Sequence, residues 1–125
     1  MEPSERAALY AELKVILEEE AANFTMYDNP GRYSLYTKKL ITVNGKKPEE
    51  QYFGGLRENK STVSFYLMAL YIEPKLREQV PASLAKILNG LTCFNFKKLS
   101  PELAADLRTL IQIGKAYYQN IGWLD

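Results

Sequence analysis

The chain has 125 residues, 46% of them hydrophobic, and its 16 basic and 15 acidic side chains leave a formal net charge of +1. That is the size and composition of one folded domain, and it excludes both a disordered chain and a strongly basic binder of nucleic-acid backbone. A single cysteine and the lack of histidine exclude an internal disulfide, the usual Ser-His-Asp and Cys-His catalytic arrangements, and a zinc site built from Cys and His.

In chain order, residues 5–22 predict an amphipathic helix. Leu9, Leu13, Ile16 or Leu17, and Phe24 beyond follow helical spacing, while Glu5, Glu12, Lys14, Glu18 and Glu19 fill the other side. Ser4 is the expected N-cap, with Pro3 beside it at the start of the turn. The N-terminus is polar and acidic, without a signal-peptide layout, and no apolar run approaches the roughly 18 residues of a membrane span. With the lone thiol, this reads as a cytoplasmic protein with no membrane partner.

Asp28-Asn29-Pro30-Gly31 is turn chemistry, because proline presets the second turn position and glycine accepts a positive φ. A strand with Tyr33, Leu35, Thr37, Lys39, Ile41 and Val43 on one side should follow, turning at Asn44-Gly45. Residues 46–51 are polar and contain Pro48, so the return strand is short or begins only at Tyr52. Residues 52–57 and 61–68 predict a second hairpin around Glu58-Asn59-Lys60. Pro74 and Pro81 each open a short helix, the second capped by Gly90. Residues 92–97 form a short strand with Phe94 and Phe96 on one face and Cys93 and Asn95 on the other.

Ser100-Pro101 starts the last helix, whose stripe runs Leu103, Leu107, Leu110, Gly114, Tyr117 and Ile121. Gly114 costs about 1 kcal/mol of helix propensity against alanine, so its place on that stripe reads as close approach to a sheet. Asn120 or Gly122 ends the helix, leaving Trp123-Leu124 to fold back as an apolar plug. The expected fold is α+β in one domain over residues 1–125. An antiparallel sheet of about five strands carries an N-terminal helix, two short helices and a long C-terminal helix, packed mainly on one face.

Three blocks carry a resemblance: Tyr52-Phe53-Gly54-Gly55-Leu56, the run from Thr62 to Tyr71, and Gly90-Leu91-Thr92-Cys93-Phe94-Asn95-Phe96-Lys97. Together they resemble the YdhG-like family, small bacterial proteins defined by a domain of unknown function. The resemblance covers roughly Tyr52 to the C-terminus and implies an α+β fold and a cytosolic bacterial protein. Some relatives carry an iron-chaperone or frataxin-like label, which implies a divalent-metal carrier as the alternative function.

If Val63, Phe65 and Leu67 face the helices, then Thr62, Ser64, Tyr66 and Met68 face away. Cys93 and Asn95 join that second face, and Tyr36 joins it if the Leu35 side of its strand is covered. Tyr36, Ser64, Tyr66, Met68, Cys93 and Asn95 are therefore the candidate ligand-binding residues, with phenol, hydroxyl, amide, thiol and thioether groups to line a groove. The bland alternative is a half-exposed sheet face, with tyrosines there because aromatics suit strands. Gly54-Gly55 reads chiefly as a bulge or tight packing point, and Cys93 as a packed, inert thiol.

Glu18-Glu19-Glu20 would point about 100° apart in succession around a helix and cannot all converge on one metal ion. No catalytic residue, metal ligand or cofactor is assigned. An enzyme would need a carboxylate or tyrosine base, and no converging pair is visible. The expected function is a non-enzymatic module binding a small molecule or protein partner through the open sheet face, as a monomer or homodimer and without nucleic acid. The alternative is an iron or divalent-metal carrier with oxygen ligands.

Overall fold

The computed structural model describes residues 2–125. Its first helix, α1 (Pro3–Glu18), buries Leu9, Leu13, Ile16 and Leu17, the expected stripe. The N-cap is Glu2 and not Ser4: Glu2 and Glu5 form a reciprocal capping box, and Pro3 occupies the first turn. The helix is also shorter than expected. A 3-10 turn over Ala21–Asn23 separates it from a strand, β1 (Phe24–Asn29), that the sequence reading left out. Only Phe24 of β1 is buried, so this edge strand lacks the alternation that makes a strand legible.

Gly31, at φ 71°, turns the chain into β2 (Arg32–Thr37). The expected long strand stops at Thr37. There the Thr37 hydroxyl donates to the Lys39 carbonyl and accepts from the Gln51 amide, clipping residues 38–51 into an excursion. Within it, an isolated bridge joins Ile41 to Glu49, and Asn44 and Gly45 turn with φ of 54° and 71°, as their dipeptide requires.

The second hairpin forms as read, from β3 (Tyr52–Glu58) and β4 (Val63–Leu67). A short helix α2 (Ala69–Ile72), a 3-10 segment (Pro74–Gln79) and α3 (Ala82–Ala85) follow. The helix expected to run to Gly90 ends at Ala85. Leu88–Asn89 form β5 instead, and Gly90 (φ 74°) turns toward β6 (Cys93–Phe96), not out of a helix. The chain closes with α4 (Pro101–Asn120), whose Ser100 hydroxyl accepts from the Leu103 amide.

The sheet therefore has six strands, not about five, in the order β1-β2-β3-β4-β6-β5, with every neighbouring pair antiparallel. Helices α1 and α4 cover one face. Val63, Phe65 and Leu67 of β4, Tyr33 and Leu35 of β2, and Phe94 and Phe96 of β6 are all buried there. Each such apolar side chain contributes about 1.5–3 kcal/mol on burial.

Gly114 explains how α4 sits so close. A Cβ there would stand 3.0 Å from Leu67 Cδ1 and 3.3 Å from Phe53 Cε1. The residue buried one position past Tyr117 is Tyr118; its hydroxyl donates to the Tyr52 carbonyl at 2.5 Å. Helix α4 ends in a Schellman turn. Gly122 is at φ 81°, the Trp123 amide donates to the Tyr118 carbonyl, and the Gly122 amide donates to that of Gln119. The Trp123 ring then meets Tyr118 edge-on at 5.1 Å and Leu124 is buried, so the apolar plug forms as read.

Candidate functional site

No helix of the described residues is long and apolar enough to cross a membrane. With both long helices on one side, the other side of the sheet presents its polar positions. Strand register aligns them into three rows. One runs Asn29, Arg32, Arg57, Ser64, Asn95; the next runs Tyr27, Ser34, Gly55, Tyr66, Cys93; the third runs Thr25, Tyr36, Tyr52. A register shift between Leu35 and Tyr36 sets Tyr52 opposite Tyr36 and turns Phe53 into the core, where it stacks on Phe24 at 4.4 Å.

Two adjoining concavities occupy this face. One of about 470 Å³ is bounded by Arg32, Tyr36, Tyr52, Arg57, Tyr66 and Met68. The other, about 490 Å³, shares Arg32, Ser34 and Tyr36 and extends to Tyr27, Glu49 and Glu50. The tyrosines form a chain across the rows. Tyr27 meets Tyr36 and Tyr36 meets Tyr52 edge-on, each at 5.3 Å. At the far end the Tyr27 hydroxyl donates to Glu50 Oε1 at 2.5 Å, and that bond raises its pKa by favouring the protonated phenol. Burial raises the pKa of Tyr52 more strongly, and neighbouring Tyr36 and Tyr66 add to it while Arg32 opposes it. Tyr52 thus stays a neutral hydrogen-bonding phenol well above neutral pH.

Three of the six candidate residues, Tyr36, Tyr66 and Met68, line the groove. Met68 reaches it from the first turn after β4 and not from within the strand. Ser64 is on the same face but is only 2% exposed. Its hydroxyl accepts from Asn59 Nδ2 at 2.6 Å and donates to Asn95 Oδ1 at 2.7 Å, and the Cys93 thiol reaches the same oxygen at 3.4 Å. Ser64, Asn95 and Cys93 therefore form a hydrogen-bonded seam beside the groove that joins β4 to β6. Arg32, Ser34, Tyr52, Leu56 and Arg57 also line the groove and were missed by the sequence reading. Alternation outward from Tyr36 marks Arg32, but Tyr52 and Arg57 depend on the register of β2 against β3.

Gly54 and Gly55 are architectural. A Cβ on Gly54 would lie 2.6 Å from the Tyr66 carbonyl oxygen, and one on Gly55 would lie 2.2 Å from that of Tyr33. The bare Gly55 also leaves room for the Tyr52 hydroxyl, 3.0 Å from where its Cβ would be. The glycine pair thereby sets the tyrosine wall of the groove.

A larger concavity, about 680 Å³, lies elsewhere, at the β5–β6 edge between Ile87, Leu88, Phe96 and Leu103, with Lys86, Lys97 and Lys98 around it. It is mainly apolar and borders a two-residue strand, whereas the tyrosine groove rests on three central strands and brings several distinct polar groups together. The acidic end of α1 is occupied by cations. Glu19 pairs with Arg108 at 2.9 Å and Glu20 with Lys115 at 2.8 Å. Among the described residues, no three His, Cys, Asp or Glu side chains gather where they could hold a metal ion. Comparison with protein-family models, with curated proteins and with solved structures returned no match.

Proposed function

We propose that this chain is a non-enzymatic small-ligand-binding module, akin to the YdhG-like proteins that its central strands resemble, with the open face of the sheet as its binding surface. The observation that carries this reading is the pair of adjoining concavities over β2, β3 and β4, sharing Arg32, Ser34 and Tyr36. Their walls combine aromatic area with hydroxyls and guanidiniums, the mixture by which a ligand site supplies burial and fixes orientation. Tyr66 is half-buried and Tyr36 is held by two aromatic neighbours, so a ligand meets side chains that are already placed.

A fragment library screened by thermal shift, followed by amide-resolved NMR, tests the proposal. Binding fragments are expected to perturb β2, β3 and β4, and Tyr36→Ala should weaken them severalfold. Perturbations confined to α1 and α4 would overturn it.

A further inference from the structure

Arg32 and Arg57 are direct cross-strand partners on the open face, and both are exposed. Side chains so placed have Cβ atoms about 4.5–5.5 Å apart, and like charges in that relation repel. Other charged groups nearby have found partners. Glu58, the residue after Arg57, holds Arg6 at 2.9 Å, and Asp28 holds Lys14 at 2.5 Å. Neither Arg32 nor Arg57 takes part in an ion pair among the described residues. The concavity that both guanidiniums line contains no carboxylate. Glu49 and Glu50 border only the neighbouring one, where Glu50 accepts the Tyr27 hydroxyl.

We infer that the Arg32–Arg57 pair is an anion subsite, and that the ligand of this face is a flat ring carrying a phosphate or carboxylate group. The inference rests on the open face being the binding surface and adds the ligand's chemistry. Two unpaired guanidiniums side by side present planar donor forks, which fit the oxygens of either anion and turn their mutual repulsion into shared attraction. Next to them, Tyr36, Tyr52 and Tyr66 supply the aromatic area that a flat ring would cover. The carboxylates at the far end disfavour an anion there, which sets the ligand's direction: charged group toward Arg57, ring toward Tyr36.

The probes are phenyl phosphate, benzoate, inorganic phosphate and benzyl alcohol, titrated into the wild-type protein, Arg32→Gln and Arg57→Gln, with amide NMR and thermal shift as readouts. Phenyl phosphate or benzoate should bind at least about tenfold more tightly than benzyl alcohol, and each arginine substitution should remove about tenfold of that affinity, as loss of one charge-assisted contact does. The tighter of the two ring anions identifies the headgroup. Free Arg57→Gln should melt no lower than wild type, because it relieves a like-charge pair, so its weaker binding is not a loss of fold. Benzyl alcohol binding as tightly as the anions, or anion affinity unchanged in both variants, would overturn the anion subsite while leaving the binding face standing. Inorganic phosphate matching phenyl phosphate would overturn the ring. If no probe or library fragment perturbed β2, β3 or β4, both this inference and the binding face would fall.

Discussion

The two faces of the sheet are built from the same strands and obey different rules. On the covered face, Val63, Phe65 and Leu67 pack into the core beneath α1 and α4, and at the end of α1 Glu19 and Glu20 are paired with Arg108 and Lys115 of α4. On the open face, Ser64 is spent on a hydrogen-bonded seam, while Tyr36, Tyr66, Arg32 and Arg57 remain available. The covered face is closed by apolar packing against the helices; the open face leaves two guanidiniums without carboxylates. That difference teaches where the chain's stability resides and where its capacity to bind lies.

The largest expected effect comes from emptying the covered face. Phe65→Ala should cost about 3–5 kcal/mol in urea denaturation, the range for deleting a buried aromatic ring, because Phe65 is 1% exposed and packs on Phe94 at 6.0 Å. A cost under about 1 kcal/mol would erase the distinction between the faces. Gly55→Ala tests their shared backbone. Its new Cβ would press on the Tyr33 carbonyl, which cannot swing aside as a side chain would, so a loss of about 1–3 kcal/mol is expected. Ser64→Ala removes the central hydroxyl of the seam and should cost about 1 kcal/mol, with faster amide exchange across β4 and β6.

Lowering the pH separates the two charge arrangements. Burial alone would raise the Glu20 carboxyl, but hydrogen bonds from Lys115 and Gln112 outweigh it and hold the pKa below the ordinary value. The hydrogen bonds from Arg108 do the same for Glu19. With folded values depressed, the unfolded chain takes up protons first, so this stabilisation is complete above the ordinary carboxylate range of about 4 and fades as pH falls through it. Replacing Lys115 by Met should flatten that acid limb in pH-dependent denaturation curves; an unchanged slope would show that the pair contributes nothing. The smallest effect is expected on the open face. Tyr66→Phe should leave stability within about 0.5 kcal/mol, with any loss appearing in ligand affinity.

Much of the covered face was legible in the sequence, and much of the open face was not. Alternation through 63–67 and 93–96, the Ser100-Pro101 helix start and the Gly114 contact all follow from spacing and local chemistry. Ser4, Gly90 and residues 86–89 misled because a cap, a turn glycine and a short apolar run each suit more than one local structure. A capping box, a β-turn and a strand at the sheet edge were the ones adopted. Strand β1 was missed because it buries one residue and shows no period. Tyr36, Tyr66 and Met68 were assigned to the groove from alternation alone, but the same rule could not tell that Ser64 would be consumed by Asn59 and Asn95.

By itself, the sequence determined the α+β class, the inward sets of β4 and β6 and the start of the last helix, because those depend on side-chain period and on neighbours a few residues apart. Only the tertiary structure decided the strand order, the shifted register that sets Tyr52 opposite Tyr36, and the meeting of Arg32 with Arg57. Between those arginines lies the excursion over residues 38–51, whose length and path no local rule fixes. Register across such a connection is settled by which side chains the helices bury and by where Gly54 and Gly55 let backbones close.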